Sequence, residues 1–352
     1  MKLLLWLSSC GSLIQVVRGV HDVKPADFGV GFTLHFDYGV AAIYYTNGSS
    51  NGIAKIEGSP AYKHIMRQQT WQLPEPYGTE PVRVEGMLWG YTGWYKQGLR
   101  DMPEYLPPWL SDIQPDARTD VLAPMLAALT AAFVAHTGTN NSDVFVTFAA
   151  HPQTDFIPVV AAAAARSGVS MPFLMSESPA GFVLDAYGLS SDPCYSFDVS
   201  RIPDRGPMQL LLVVDASRAA ISASLRSVWC GIDNDLRTMM NTSLGLGAWS
   251  EETHWSLVED MRQFIRPVAN GEGRWLDKIE RVVLSGESAY DGRLRSVLQE
   301  VVEDSVVPSV SDAIESGEGH VDPLFAAAIG AAKYAWYLSH ENPFDYEVSM
   351  GD

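Results

Sequence analysis

Residues 210–225 constrain this chain most. Leu210 to Val214 is an unbroken apolar run, and Ile221, Ala223 and Leu225 alternate with Ser222 and Ser224. An unbroken run reads as a strand buried on both faces, and alternation reads as a strand with one face in a core. The few residues between them leave room for a short turn only, so the segment is expected to be a β-hairpin.

A second hairpin is expected near the N-terminus. Val30, Phe32 and Leu34 alternate, and Val40 to Tyr45 is apolar and β-rich, with His35 to Gly39 between them. Asn47 to Gly52 reads as a turn. Further along, Val121–His136 reads as a helix stopped by Gly138, Val144–Phe148 as a strand, Thr154–Arg166 as a helix stopped by Gly168, Val169–Met175 as a strand and Ser178–Tyr187 as a helix. This alternation argues for a parallel α/β layer. Residues 233–277 are polar with helical stretches such as Glu251–Ile265, and Ile279–Leu284 reads as a strand. Leu294, Val297, Leu298, Val301 and Val302 line one face of a helix, and Asp322–Leu338 is a long Ala-rich helix. Residues 59–120, rich in proline and aromatics, are expected to form an irregular subdomain.

The 352 residues are 47% hydrophobic, enough for one two-lobed body or two domains. A net charge of −18 disfavours binding to nucleic acid or to an anionic membrane, since both repel it. Lys2, the apolar Leu3–Val17 and the small Val17 and Gly19 read as a signal peptide over residues 1–19, with an uncleaved anchor as the other reading. A soluble secreted or lumenal protein is therefore expected. Cys194 and Cys230 then remain, which suggests one disulfide, with two separate buried thiols as the alternative. Asn47, Asn140 and Asn241 begin N-x-S/T glycosylation triplets.

Six segments in order carry a resemblance. They are Gly31–Tyr44 (GFTLHFDYGVAAIY), Val144–Gln153 (VFVTFAAHPQ), Glu177–Leu189 (ESPAGFVLDAYGL), Asp215–Leu225 (DASRAAISASL), Val282–Ser288 (VVLSGES) and Asp322–Ala335. Together they resemble the ATPase domain of DnaK-type heat-shock chaperones, within the actin-like ATPase superfamily. The resemblance touches most of residues 28–340, with no room for the chaperone's peptide-binding domain. It implies an α/β, two-lobed actin-like (ribonuclease H-like) fold in which each lobe opens with a β-hairpin. Lobe I would span 20–190 and lobe II 191–321, with the helix at 322–345 returning to lobe I.

In that family ATP lies between the lobes, and each hairpin turn holds phosphate with backbone N–H groups. Glycines let the backbone approach and take positive φ. The first family hairpin reads D-L-G-T-T, and here the same positions are Thr33, Leu34, His35, Phe36 and Asp37. A magnesium carboxylate has become Thr33, and Asp37 adds negative charge. Two like charges about 4 Å apart cost on the order of 4 kcal/mol at an effective dielectric near 20. In the second hairpin Asp215 is kept, while three glycines become Ser217, Arg218 and Ala219 and a threonine becomes Ala220. Arg218 is a cation able to meet a phosphate directly. The adenosine turn keeps Gly286 and Ser288 around Glu287. The resemblance therefore implies a non-hydrolysing pseudo-ATPase that acts by binding an unidentified protein or small molecule. Residual binding of ATP or ADP with magnesium through these residues is the alternative.

Two other readings compete. Gly286-Glu287-Ser288-Ala289 resembles the nucleophile elbow of α/β-hydrolases, with Asp304, Asp312 or Glu318 and then His320 in serine–acid–histidine order. Tyr290 stands where the sharp turn needs a small residue. Trp89, Tyr91, Trp94 and Tyr95, with Tyr105 and Trp109, are candidates for stacking on a sugar or peptide, or for packing. The scattered histidines offer no metal motif.

Overall fold

Strand-forming runs assemble into two sheets of the same topology. A computed structural model describes residues 27–68, 116–139, 144–150, 156–169, 171, 178–190, 209–229, 232–269, 275–276, 278–302 and 321–340. In the first sheet β1 (Phe28–Leu34), β2 (Tyr38–Tyr45) and β3 (Ser50–Glu57) form an antiparallel meander, and β4 (Val144–Phe148) pairs parallel to β1. The second sheet repeats this plan. Its meander is β5 (Gln209–Ala216), β6 (Ile221–Trp229) and β7 (Ile232–Asn241). After the short pair β8 (Val268–Ala269) and β9 (Trp275–Leu276), β10 (Arg281–Ser285) pairs parallel to β5. The strand orders are β3-β2-β1-β4 and β10-β5-β6-β7.

The helices are α1 (Pro60–Gln68), α2 (Ala117–Thr137), α3 (Phe156–Arg166), α4 (Pro179–Ala186), α5 (Glu251–Phe264), α6 (Gly292–Val301) and α7 (Ala326–His340). Local chemistry marks several ends. Asp116 caps α2 by accepting from the Arg118 N–H, and Gly138 stops it with φ 70°. Ser250 and Thr253 form a reciprocal capping box on α5, and Asp291 caps α6.

Period-two alternation then sorts the strands' side chains. Val30, Phe32 and Leu34 join a core with Leu122, Leu126, Leu129 and Phe133 of α2. Leu210, Leu212 and Val214 join another with Leu257, Met261, Val297 and Leu298 of α5 and α6. The opposite faces, carrying Val40 and Ala42 on one sheet and Leu211 and Val213 on the other, share a core with α4 and α7. Close approach there needs glycine. A Cβ on Gly31 would stand 2.1 Å from the Ala328 carbonyl, and one on Gly330 would stand 1.9 Å from that of Phe182. The same alternation turns Thr33, Asp215 and Ser285 toward this middle layer, where all three are buried.

Both expected hairpins are present, as are the helices read near 121–136, 154–166, 178–187, 251–265, 294–302 and 322–338, with shifted ends. Two strands differ from the reading. The turn after β2 covers only 46–49, and Ser50–Glu57 is a strand; the polar start of the 233–277 stretch is β7. Both sit at sheet edges, where a strand needs no apolar face to pair. Val169 and Met171 lie outside any strand. The expected Cys194–Cys230 disulfide is corrected: no disulfide bond is present among the described residues. An even cysteine count carries no distance, whereas a bridge needs Cα atoms within about 7 Å. Both cysteines, Asn140, residues 1–26 and the aromatic stretch 69–115 lie outside the described residues.

Candidate functional site

The β1–β2 turn is filled by its own side chains. The His35 N–H closes it onto the Tyr38 carbonyl at 2.8 Å, and the His35 ring stacks on that of Tyr38 with centroids 4.3 Å apart. Phe36 is buried in the core shared with α2. From α1, the buried Tyr62 hydroxyl donates to the carbonyls of His35 (2.7 Å) and Tyr38 (3.2 Å).

The β5–β6 turn meets its donors differently. The Ser217 hydroxyl accepts from the N–H groups of Ala219 (3.2 Å) and Ala220 (3.1 Å). The Arg218 N–H goes to Glu287 Oε1 at 3.0 Å, and the Arg218 Nε–H reaches the same oxygen at 2.8 Å. Backbone N–H groups presented by such a turn make an anion seat. Here the carboxylate of the protein's own Glu287 sits in it.

Glu287 is gripped from the first sheet as well. Lys55 on β3 donates to Glu287 Oε2 and to Glu57 Oε1, and its ammonium lies 4.6 Å from the Tyr38 ring centroid. The Glu287 N–H donates to the Tyr38 hydroxyl at 3.2 Å. Arg218 completes the chain by donating to Glu57 Oε1 at 2.6 Å, and Lys63 of α1 donates to Glu57 Oε2 at 3.2 Å. Burial pushes the Glu287 carboxyl upward, but hydrogen bonds from Lys55 and Arg218 more than offset this and hold it below its ordinary range. Lys55 lowers Glu57 to about 2, with help from Lys63. Burial, reinforced by Glu287, raises Asp37, and the Arg218 guanidinium 4.0 Å away only partly opposes it.

Beneath these groups, Asp215 Oδ2 accepts from the Ser285 hydroxyl at 2.8 Å, and Oδ1 lies 3.6 Å from His35 Nδ1. Thr33 Oγ1, His35 Nδ1, Asp37 Oδ1 and Asp215 Oδ1 are buried without a hydrogen-bond partner among the described residues. Asp215, Ser222, Ser224 and Ser285 border a space of about 40 Å³, of water size.

The structure thus brings Thr33, Asp37, Asp215, Ser217, Arg218, Gly286 and Glu287 to one interface between the sheets. Gly286 is required by its φ of 88° and by the Ala216 carbonyl, which a Cβ would approach to 2.4 Å. Ser288 lies in the following turn, its N–H on the Ala216 carbonyl at 3.0 Å, and the helix after it begins only at Gly292. Its candidate partners Asp304, Asp312, Glu318 and His320 lie outside the described residues. These residues fit a magnesium polyphosphate poorly. The first hairpin offers the buried Thr33 hydroxyl, and the second gives the Arg218 N–H and guanidinium to Glu287. Asn47 is exposed at the β2–β3 turn, and Asn241 is half-buried beside Asp260.

Sequence reasoning missed Lys55, Glu57, Lys63, Tyr38, Tyr62 and Ser285. Lys55 and Glu57 stand two apart on one strand and so share a face, but that signal needs β3 to be read as a strand. No protein-family model and no curated protein matches this chain.

Proposed function

We propose that this chain is a secreted relative of the actin-like ATPases whose phosphate seat has been taken by Glu287, so that it acts by binding and does not hydrolyse ATP. The carrying observation is the convergence of the Arg218 N–H and guanidinium on one Glu287 oxygen. An incoming phosphate must displace a tethered carboxylate that also holds Lys55. A tethered group competes at high effective concentration. Support for the fold comes from two sheets of equal topology, with Asp215 at the end of the first strand of the second meander. The signal-like N-terminus supports a location outside the cytosol.

The test is release of phosphate from ATP with magnesium by the purified protein. None is expected above a heat-denatured control. Hydrolysis that Asp215→Ala abolishes overturns the reading. Residual binding of ATP or ADP is favoured by one observation: the second turn still holds an anion through its backbone. Glu287→Gln is the variant that would expose it, as nucleotide binding absent from the parent protein.

A further inference from the structure

Beside the Glu287 seat lies an open cleft of about 390 Å³, lined by Asp37, Lys63, Arg67, Arg218, Thr242 and Gly245 among others. Its size falls within the roughly 300–1,000 Å³ of small-molecule sites. The protein carries net charge −18, yet three cations and one carboxylate line this cleft. That carboxylate, Asp37, is held toward its neutral form by burial.

Two of the cations are occupied only by Glu57, or partly by it. Glu57 bridges Arg218 and Lys63 at 2.6 and 3.2 Å and also accepts from Lys55 at 2.9 Å, with its side chain half exposed. Ion pairs at such exposure contribute little, about 0–1 kcal/mol, and exchange readily for another anion. Arg67 is exposed on α1, one helical turn from Lys63, with no ion pair among the described residues. Glu57 therefore acts as a placeholder at the mouth of an oxyanion site, whereas Glu287, held by Arg218 and Lys55, stays in its seat.

We propose that this cleft binds a sulfate or phosphate group, free or carried on a small molecule. Arg67, Lys63 and the Arg218 guanidinium meet the oxygens, and Glu57 swings out. The planar guanidinium of arginine can meet two oxygens of such a group bidentately, and no metal is needed. The cleft exceeds a bare oxyanion, which leaves room for the carrier. This inference rests on the cleft being a binding site and not a hydrolytic one.

The experiment titrates the full protein in magnesium-free chloride buffer with inorganic sulfate, inorganic phosphate, glucose 6-sulfate, glucose 6-phosphate and glucose. Thermal midpoint and heat of binding are read. The oxyanions are expected to raise the midpoint while glucose does not. An ester binding more tightly than the inorganic ion assigns the group to a carrier, and equal binding assigns it to the free ion; either supports the site. Arg67→Glu, on an exposed helix face and checked for an unchanged ligand-free midpoint, is expected to weaken binding at least tenfold. Glu57→Gln, which removes the placeholder, is expected to strengthen it several-fold. No effect of any oxyanion, an equal effect of chloride at matched ionic strength, or unchanged binding in Arg67→Glu overturns the inference. ATP hydrolysis abolished by Asp215→Ala would sink the parent reading while leaving the oxyanion titration to stand or fall by itself.

Discussion

The two sheets share a strand plan, but the turns that open them are built in opposite ways. The β1–β2 turn is closed by bulk: His35 stacks on Tyr38, Phe36 enters the core and Tyr62 ties two carbonyls. The β5–β6 turn is closed by charge: Ser217 satisfies two N–H groups, and Glu287 takes the third together with the Arg218 side chain. A turn that presents N–H groups needs an acceptor. The first turn is packed from within by its own rings, and the second imports a carboxylate from the neighbouring strand end. The sheets also meet α7 differently. β1 faces it with Gly29 and Gly31, while β5 faces the middle layer with Leu211 and Val213.

That difference yields the largest expected effect. Gly31→Val places a side chain where a Cβ already meets the Ala328 carbonyl at 2.1 Å, so a loss of about 3 kcal/mol in denaturant unfolding is expected. A neutral result would break the claim that α7 sits closer to the first sheet.

The charge-built turn comes next. Glu287→Gln removes the negative charge and one of the two oxygens that accept from Lys55 and Arg218, for an expected loss of about 2 kcal/mol. Glu57→Gln, at the exposed end of the same cluster, is expected to cost less than about 1 kcal/mol. Equal losses would mean that the cluster has no anchored centre.

Acid sharpens the same contrast. Glu57 and Glu287 have folded pKa values below their unfolded ones, so their stabilisation is present above the unfolded value and is lost as pH falls through the folded one. For Glu57 that window runs from 4.5 down to about 2, and solvent screening of its half-exposed side chain keeps the contribution small. Unfolding midpoints measured across it should fall, and less steeply in the Glu57→Gln, Glu287→Gln double variant.

The smallest effect belongs to Asp37 in the bulk-built turn. Its raised pKa means that folding favours the neutral form, so ionisation at neutral pH works against the fold. Asp37→Asn is expected to raise the thermal midpoint by a few degrees at pH 7, about 1 kcal/mol or less, and to lose that advantage in acid.

Much of the scaffold was legible because its periodicity is local. Leu210–Val214 and the alternating Ile221–Leu225 describe their own burial. Edge strands were not legible: β3 and β7 pair through backbone while carrying polar side chains. Losing β3 hid Lys55 and Glu57, and with them the partners of Arg218 and Glu287. Arg218 was expected to meet a phosphate through the resemblance of its turn to a phosphate hairpin; its engagement by Glu287 depends on residues 69 positions apart meeting across two strand ends. The disulfide failed for the same reason, since pairing is a matter of distance.

The claim that Glu287 has replaced a ligand is tested most directly by thermal unfolding of the purified protein with and without millimolar ATP or ADP and magnesium. A ligand at about 100 times its Kd adds roughly 2.7 kcal/mol. No rise that requires magnesium is predicted. A clear rise that requires magnesium would contradict the account, because it would place nucleotide in the seat assigned to Glu287.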